Sequence, residues 1–254
     1  MTDHGLIFSF SEMERELRSF VSISSGFLST ESVHRILPQL IIDLETIRLS
    51  RSFSKISWRI SSENPLKTKP CEGAYEIDVA GKHNLVAEIS SVWEIQPIRL
   101  KKGSSQTPKY FGLVGNASTL VKFTETIDSS SSIELGSYRM EVGTQNSPGV
   151  HFHVQVLGQS ENAPFPKSLS VPRFPSYLTT PMSAIEFTLG EIFQVDWRRE
   201  AQRDGGDHKI WHGIQTERFR NIFDWQIAAL SGGGEFPVSL LKHSKPPTTL
   251  FVRS

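Results

Sequence analysis

The run Gly149-Val-His-Phe-His-Val-Gln-Val-Leu-Gly158 carries two imidazoles and a carboxamide at alternate positions. Successive side chains of a strand point to opposite faces. His151, His153 and Gln155 therefore share one face, and Val150, Phe152, Val154 and Val156 the other. The segment before it alternates too, with Tyr138, Met140 and Val142 against Arg139 and Glu141. Joining the two apolar faces in a hairpin predicts Val142 opposite Val150, Met140 opposite Phe152 and Tyr138 opposite Val154. Glu141 then lies across from His151, and Arg139 from His153. A carboxylate favours the cation of a neighbouring imidazole and a guanidinium disfavours it, so histidines in these two fields could supply an acid and a base near neutral pH. A solvated sheet face presents the same ladder of polar cross-strand pairs, and the sequence leaves both readings open.

Arg173 sits among Pro172 and Pro175 on a stiff backbone, which suits a guanidinium that recognises phosphate or carboxylate, or one that fastens the segment to the sheet by a salt bridge. The candidate ligand-binding set is Gln155, Glu141, Arg139, Arg173 and Asn146. A functional version of the segment around Trp93 would bring Glu88 or Glu94 beside the ladder; the plain reading makes Trp93 core and Glu94 solvated. His208 and His212 have the spacing of a helical metal pair, with Asp204 and Asp207 near. A metal needs three or four ligands in fixed geometry, however, and Gly205-Gly206 reads as a loop. No metal site is assigned. The one cysteine, Cys71, excludes an intramolecular disulfide and a multi-cysteine zinc site. Gly232-Gly-Gly follows a helix rather than preceding one and so lacks the geometry of a phosphate-cradling loop. No cofactor is implied.

The run His151-Phe-His-Val-Gln155 resembles the H-x-H-x-Q motif of the galactose-1-phosphate uridylyltransferases, relatives of the histidine-triad nucleotide hydrolases. That resemblance implies His153 as the nucleophile on an α-phosphate, assisted by His151, with Gln155 holding a phosphoryl oxygen and Asn146 as the asparagine ahead of the motif. It covers about a dozen residues, and the helix those enzymes carry before the hairpin is replaced here by strands. A broader motif order is similar to that of uncharacterised bacterial proteins: Gly115-Asn-Ala-Ser-Thr119, the histidine strand, Val171-Pro-Arg-Phe-Pro175, then Pro181-Met-x-Ala-Ile185 opening a helix. Ser183 replaces the acidic residue of that pattern. This second resemblance implies a bacterial accessory or defence-associated protein, and no set activity.

The elements that must position these residues follow from periodicity. Met13, Leu17 and Phe20 mark a short helix. Val33, Ile36, Leu37, Leu40, Ile41, Leu44 and Ile47 form the stripe of a second, capped near Ser29 and Thr30, which kinks or begins at Pro38. Between residues 55 and 157 the period becomes two, with strands expected at 55–60, 74–79, 85–99, 109–114, 118–127, 137–143 and 150–157. A proline-rich strap follows. Thr180-Pro181 caps a helix ended by Asp204-Gly-Gly, and a last helix spans about 214–230. A tail with an edge strand or strap comes last. The chain is read as one α+β domain over 1–254: helices in 1–50, an antiparallel sheet of six to seven strands in 51–158, the strap at 159–181, and helices and tail in 182–254, with the helices of both ends on one face of the sheet.

The 27 basic and 27 acidic side chains cancel, so no long-range field draws a polyanion, and a general nucleic-acid binder is not expected. No apolar run reaches the length of a membrane span, and a reducing, cytoplasmic setting is expected. The functional expectation is a non-catalytic module binding a small ligand or another protein, or a subunit of a larger complex with an apolar patch on the helix at 31–49 or on the tail. The alternative is a nucleotidyl transferase or nucleotide hydrolase working through His153.

Overall fold

A computed structural model describes residues 5–50, 52–73, 83–99, 107–126, 132–147, 149–157 and 173–252. The expected strand at 74–79 and most of the strap (158–172) lie outside the described residues.

Strand β1 (Ile7–Ser9) leads into helix α1 (Phe10–Ser24), where the Ser9 hydroxyl accepts from the Glu12 amide. A π-helical turn (Ser32–Ile36) then precedes α2 (Leu37–Leu49), with Pro38 in the first turn of α2. Proline lacks the N–H that the first turn leaves without a partner, so the helix proper starts there instead of kinking. Ser29 accepts from the Ser32 amide at 3.3 Å. Five more strands follow: β2 (Ile56–Ile60), β3 (Leu66–Lys67), β4 (Cys71–Gly73), β5 (His83–Ile98) and β6 (Tyr110–Thr126). The two strands expected at 109–114 and 118–127 are one continuous β6. Next come β7 (Ser132–Val142), β8 (Phe152–Leu157), β9 (Phe174–Pro175), α3 (Pro181–Ala201), α4 (Gly206–Ser231) and α5 (Pro237–His243).

The architecture is α+β. The nine strands among the described residues belong to one antiparallel sheet, of order β2-β5-β6-β7-β8-β9, with β3 and β4 on β5 and β1 on β6. Along β5 burial alternates as the sequence pattern requires: Ile89, Ser91, Trp93 and Ile95 are buried, while Glu88, Ser90, Glu94 and Gln96 are half-exposed. The buried face meets Met13, Leu17 and Phe20 of α1, Leu40 and Leu44 of α2, and Met182, Ile185 and Leu189 of α3 in one contiguous core. Trp58 donates its indole N–H to the Leu40 carbonyl at 2.9 Å, tying β2 to α2.

Two elements differ from expectation. Helix α4 starts at Gly206, about eight residues early, because Trp211, Ile214 and Ile222 all find buried contacts, and Asp207 complements the positive helix N-terminus. His208 and His212 are therefore helical rather than in a loop. The tail forms the short helix α5 and then a strap whose Thr248 carbonyl accepts from the Ile7 amide at 2.8 Å. On α2 the stripe Leu37, Leu40, Ile41, Leu44 and Ile47 is buried while Ile42 and Leu49 are exposed, and further exposed apolar side chains include Phe219, Phe223, Ile227 and Leu230 on α4 and Phe236 and Val238 beside and on α5. No helix among the described residues is long and apolar enough to cross a membrane.

Candidate functional site: a polar cleft at the end of the histidine hairpin

The hairpin forms with its faces as expected and its register moved by two residues. Val142 pairs with Phe152, Met140 with Val154 and Tyr138 with Val156, so Glu141 faces His153 and Arg139 faces Gln155. The expected pairs of Glu141 with His151 and Arg139 with His153 are thereby corrected. The connection takes up the difference. Gly143 N–H donates to the His151 carbonyl at 2.7 Å, and the Ser147 amide to the Thr144 carbonyl at 3.1 Å. Gly149 adopts φ +84°, a left-handed conformation that suits glycine. The strand therefore begins at Phe152, with Val150 and His151 spent in the turn.

Four side chains interlock on the polar face. The His153 ring nitrogen Nε2 lies 2.9 Å from Glu141 Oε2, and Nδ1 lies 2.9 Å from the Val150 carbonyl. Gln155 donates from Nε2 to Glu141 Oε2 at 3.2 Å and accepts from Arg139 Nη2 at 2.7 Å. Arg139 Nε is ion-paired with Glu141 Oε1 at 2.8 Å. The Gln155 amide nitrogen also lies 3.3 Å from His153 Nε2. The His153 hydrogen bond, and then the Arg139 and Arg173 charges, hold the Glu141 carboxyl below its usual range against the opposing effect of burial.

His151 has a different environment. It is fully buried against the Phe152 ring, and neither of its nitrogens has a hydrogen-bond partner among the described residues. Burial first, then the charges of Lys245 and His153, push its pKa down to about 3. It is a neutral core imidazole and does not share the work of His153.

Next to this network opens a cleft of about 270 Å³ lined by Glu141, Val142, Gly143, Thr144, Ser147, His153, Arg173 and the β6 segment Gly115–Ala117. Its position follows from topology. On the same side of β6, β1 pairs only as far as Gly112 and β7 only from Ser118, leaving a gap between them. The β5–β6 ladder also bulges there, between Trp93–Ala117 and Ile95–Leu113. Bulges re-aim side chains and end pairing, and often lie beside sites. Glu94 fills the bulge: it accepts the Asn116 amide at 2.7 Å and pairs with Lys55 at 2.7 Å, and both hold its carboxyl low. The far wall is fixed by the tail, where Lys245 donates to the Ser147 and Gly149 carbonyls at 2.6 and 2.8 Å.

Of the sequence candidates, the cleft and its floor gather Glu141, His153, Gln155, Arg139 and Arg173. His151 is in the core, and Asn146 is exposed on the turn outside the lining. Asn116 is the asparagine at the cleft. Thr144, Ser147 and Lys245 were not singled out; they come from a turn and a tail distant in sequence, and no local pattern marks them. Glu88 pairs with Lys67 away from the cleft. No group of three metal-binding side chains occurs among the described residues. Comparison with protein-family models, curated proteins and solved structures finds no match to this chain.

Proposed function

We propose that the chain is a non-catalytic binding module whose hairpin cleft takes a small anionic ligand bearing a phosphate or carboxylate. The observation that carries this reading is Arg173 at the cleft, above a floor already cross-linked by Arg139, Glu141, His153 and Gln155. Preorganised groups lose little freedom on binding, and a guanidinium recognises oxyanions in a fixed fork. The Thr144 and Ser147 hydroxyls add adaptable donors on the wall. Attack by His153 on phosphorus is less well supported, because the Nε2 needed for it is engaged by Glu141.

Calorimetry and thermal shift with orthophosphate, pyrophosphate, AMP, ATP, acetate and citrate test the reading. Saturable binding of at least one anion is expected, weakened about tenfold or more by Arg173→Ala with the melting temperature little changed. If none of these anions binds, the proposal is wrong. Nucleotide turnover abolished by His153→Ala would replace it with nucleotidyl chemistry.

A further inference from the structure

A second cavity, of about 350 Å³, lies among α1, α3 and α4 and shares no lining residue with the hairpin cleft. Ile23, Trp197, Trp211 and Phe219 give it apolar and aromatic walls, and Glu186, Glu200 and Gln215 supply the acceptors. Among the described residues no lysine or arginine lines it, while His208 and His212 do. The two carboxylates differ in kind. Glu200 is ion-paired with Arg203 at 3.0 Å, and its other oxygen lies 3.0 Å from His208 Nε2. Glu186 takes a hydrogen bond from the Trp211 side chain and has the Glu16 carboxylate near it; no cation among the described residues lies against it. Burial and Glu16 together push its carboxyl above the usual range. Glu16 itself is held by Arg218 at 2.7 Å, so that cation is already committed.

We propose that this cavity binds a small organic ammonium cation with an apolar or aromatic body. The ammonium group would complete the ion pair that Glu186 lacks. Tryptophan faces attract cations through their quadrupole, and the apolar walls bury the body of the ligand. An anion meets two carboxylates and no lysine or arginine among the described lining residues. A neutral isostere gains the burial and loses the ion pair.

The test uses 2-phenylethylamine, its neutral isostere 2-phenylethanol and the anion 3-phenylpropionate, followed by tryptophan fluorescence and calorimetry on the full chain. The amine is expected to bind saturably, about tenfold or more tighter than the alcohol, with the anion weakest. Glu186→Gln should abolish that preference while circular dichroism and melting temperature stay the same or improve. Thr216→Trp, at an exposed position of α4 on the cavity lining, should block all binding without unfolding the chain. The proposal fails if no amine binding occurs, if the alcohol binds equally well, or if either variant binds the amine as the unsubstituted chain does. None of these outcomes bears on the hairpin cleft.

Discussion

Burial leaves the His151 ring neutral, with a folded-state pKa of about 3 against an ordinary 6.5. Between those values the unfolded chain binds a proton that the folded chain refuses. Stability from this residue is therefore complete above pH 6.5 and is lost as pH falls toward 3, by up to about 1.4 kcal/mol per pH unit. Glu141 acts in the same direction lower down: its carboxyl lies below 4.5, so its contribution holds above that pH and goes as pH falls through the folded value. The two separate in a denaturation series. His151→Leu should flatten the stability curve between pH 6.5 and 4.5 while leaving pH 7 stability equal or higher, because the ring nitrogens have no partners to lose. An unchanged slope would contradict this account of the ring. Removing the Glu141 carboxylate by Glu141→Ala strands the buried Gln155 and His153 side chains, and a loss of about 1–3 kcal/mol at pH 7 is expected from urea titration. At this scale the sequence identified Glu141, His153, Gln155 and Arg139 as neighbours. It set Glu141 across from His151 and Arg139 across from His153, whereas Glu141 faces His153, Arg139 faces Gln155 and His151 is in the core, since a residue's burial depends on what covers it.

That shift of register arises at the scale of elements. Alternation with period two fixes which face a side chain takes, but a slip of two residues keeps every side chain on its face, so the apolar pattern of β7 and β8 does not select the register. The turn does, through Gly143, the Thr144–Ser147 contacts and the left-handed Gly149. Helix starts were easier to read where a cap is local. Thr180 accepts the Ser183 amide as expected, and Ser183 completes the reciprocal box, which gives a role to the serine that replaces an acidic residue. The same Thr180 hydroxyl donates to the buried Glu16 at 2.7 Å, so Thr180→Ala should cost about 2–3 kcal/mol and Thr180→Ser much less. The start of α4 was missed because its first turns are fixed by contacts with distant residues, such as Trp211 against Phe20, rather than by a cap in the sequence. At the bulge, a Gly115 Cβ would stand 1.9 Å from Glu94 Oε2. Gly115→Ala must swing that carboxylate away from the Asn116 amide. It should weaken anion binding at the cleft more than it lowers the melting temperature, as paired calorimetry and thermal melts would show.

Across the whole molecule, the sheet's buried face carries the stability and its polar face carries the candidate chemistry. Phe8 is packed among Trp93, Phe111 and Phe251, and Phe8→Ala should cost about 3–5 kcal/mol. Phe223 on the exposed stripe of α4 is 43 % accessible, and Phe223→Ser should change stability by no more than about 0.5 kcal/mol. The α+β class, the antiparallel sheet and the helices at both ends were legible because long periodic segments declare themselves. The cleft was only half legible, because its walls come from β6, β7, the hairpin turn and the tail. The most direct measurement is a pyrophosphate titration of the full chain followed by imidazole nitrogen NMR. A saturable shift of the His153 resonances at millimolar ligand is expected, with the buried His151 little affected and the shift lost in Arg173→Ala. A titration that leaves His153 unmoved, or moves it equally without Arg173, would contradict an anion held at this cleft.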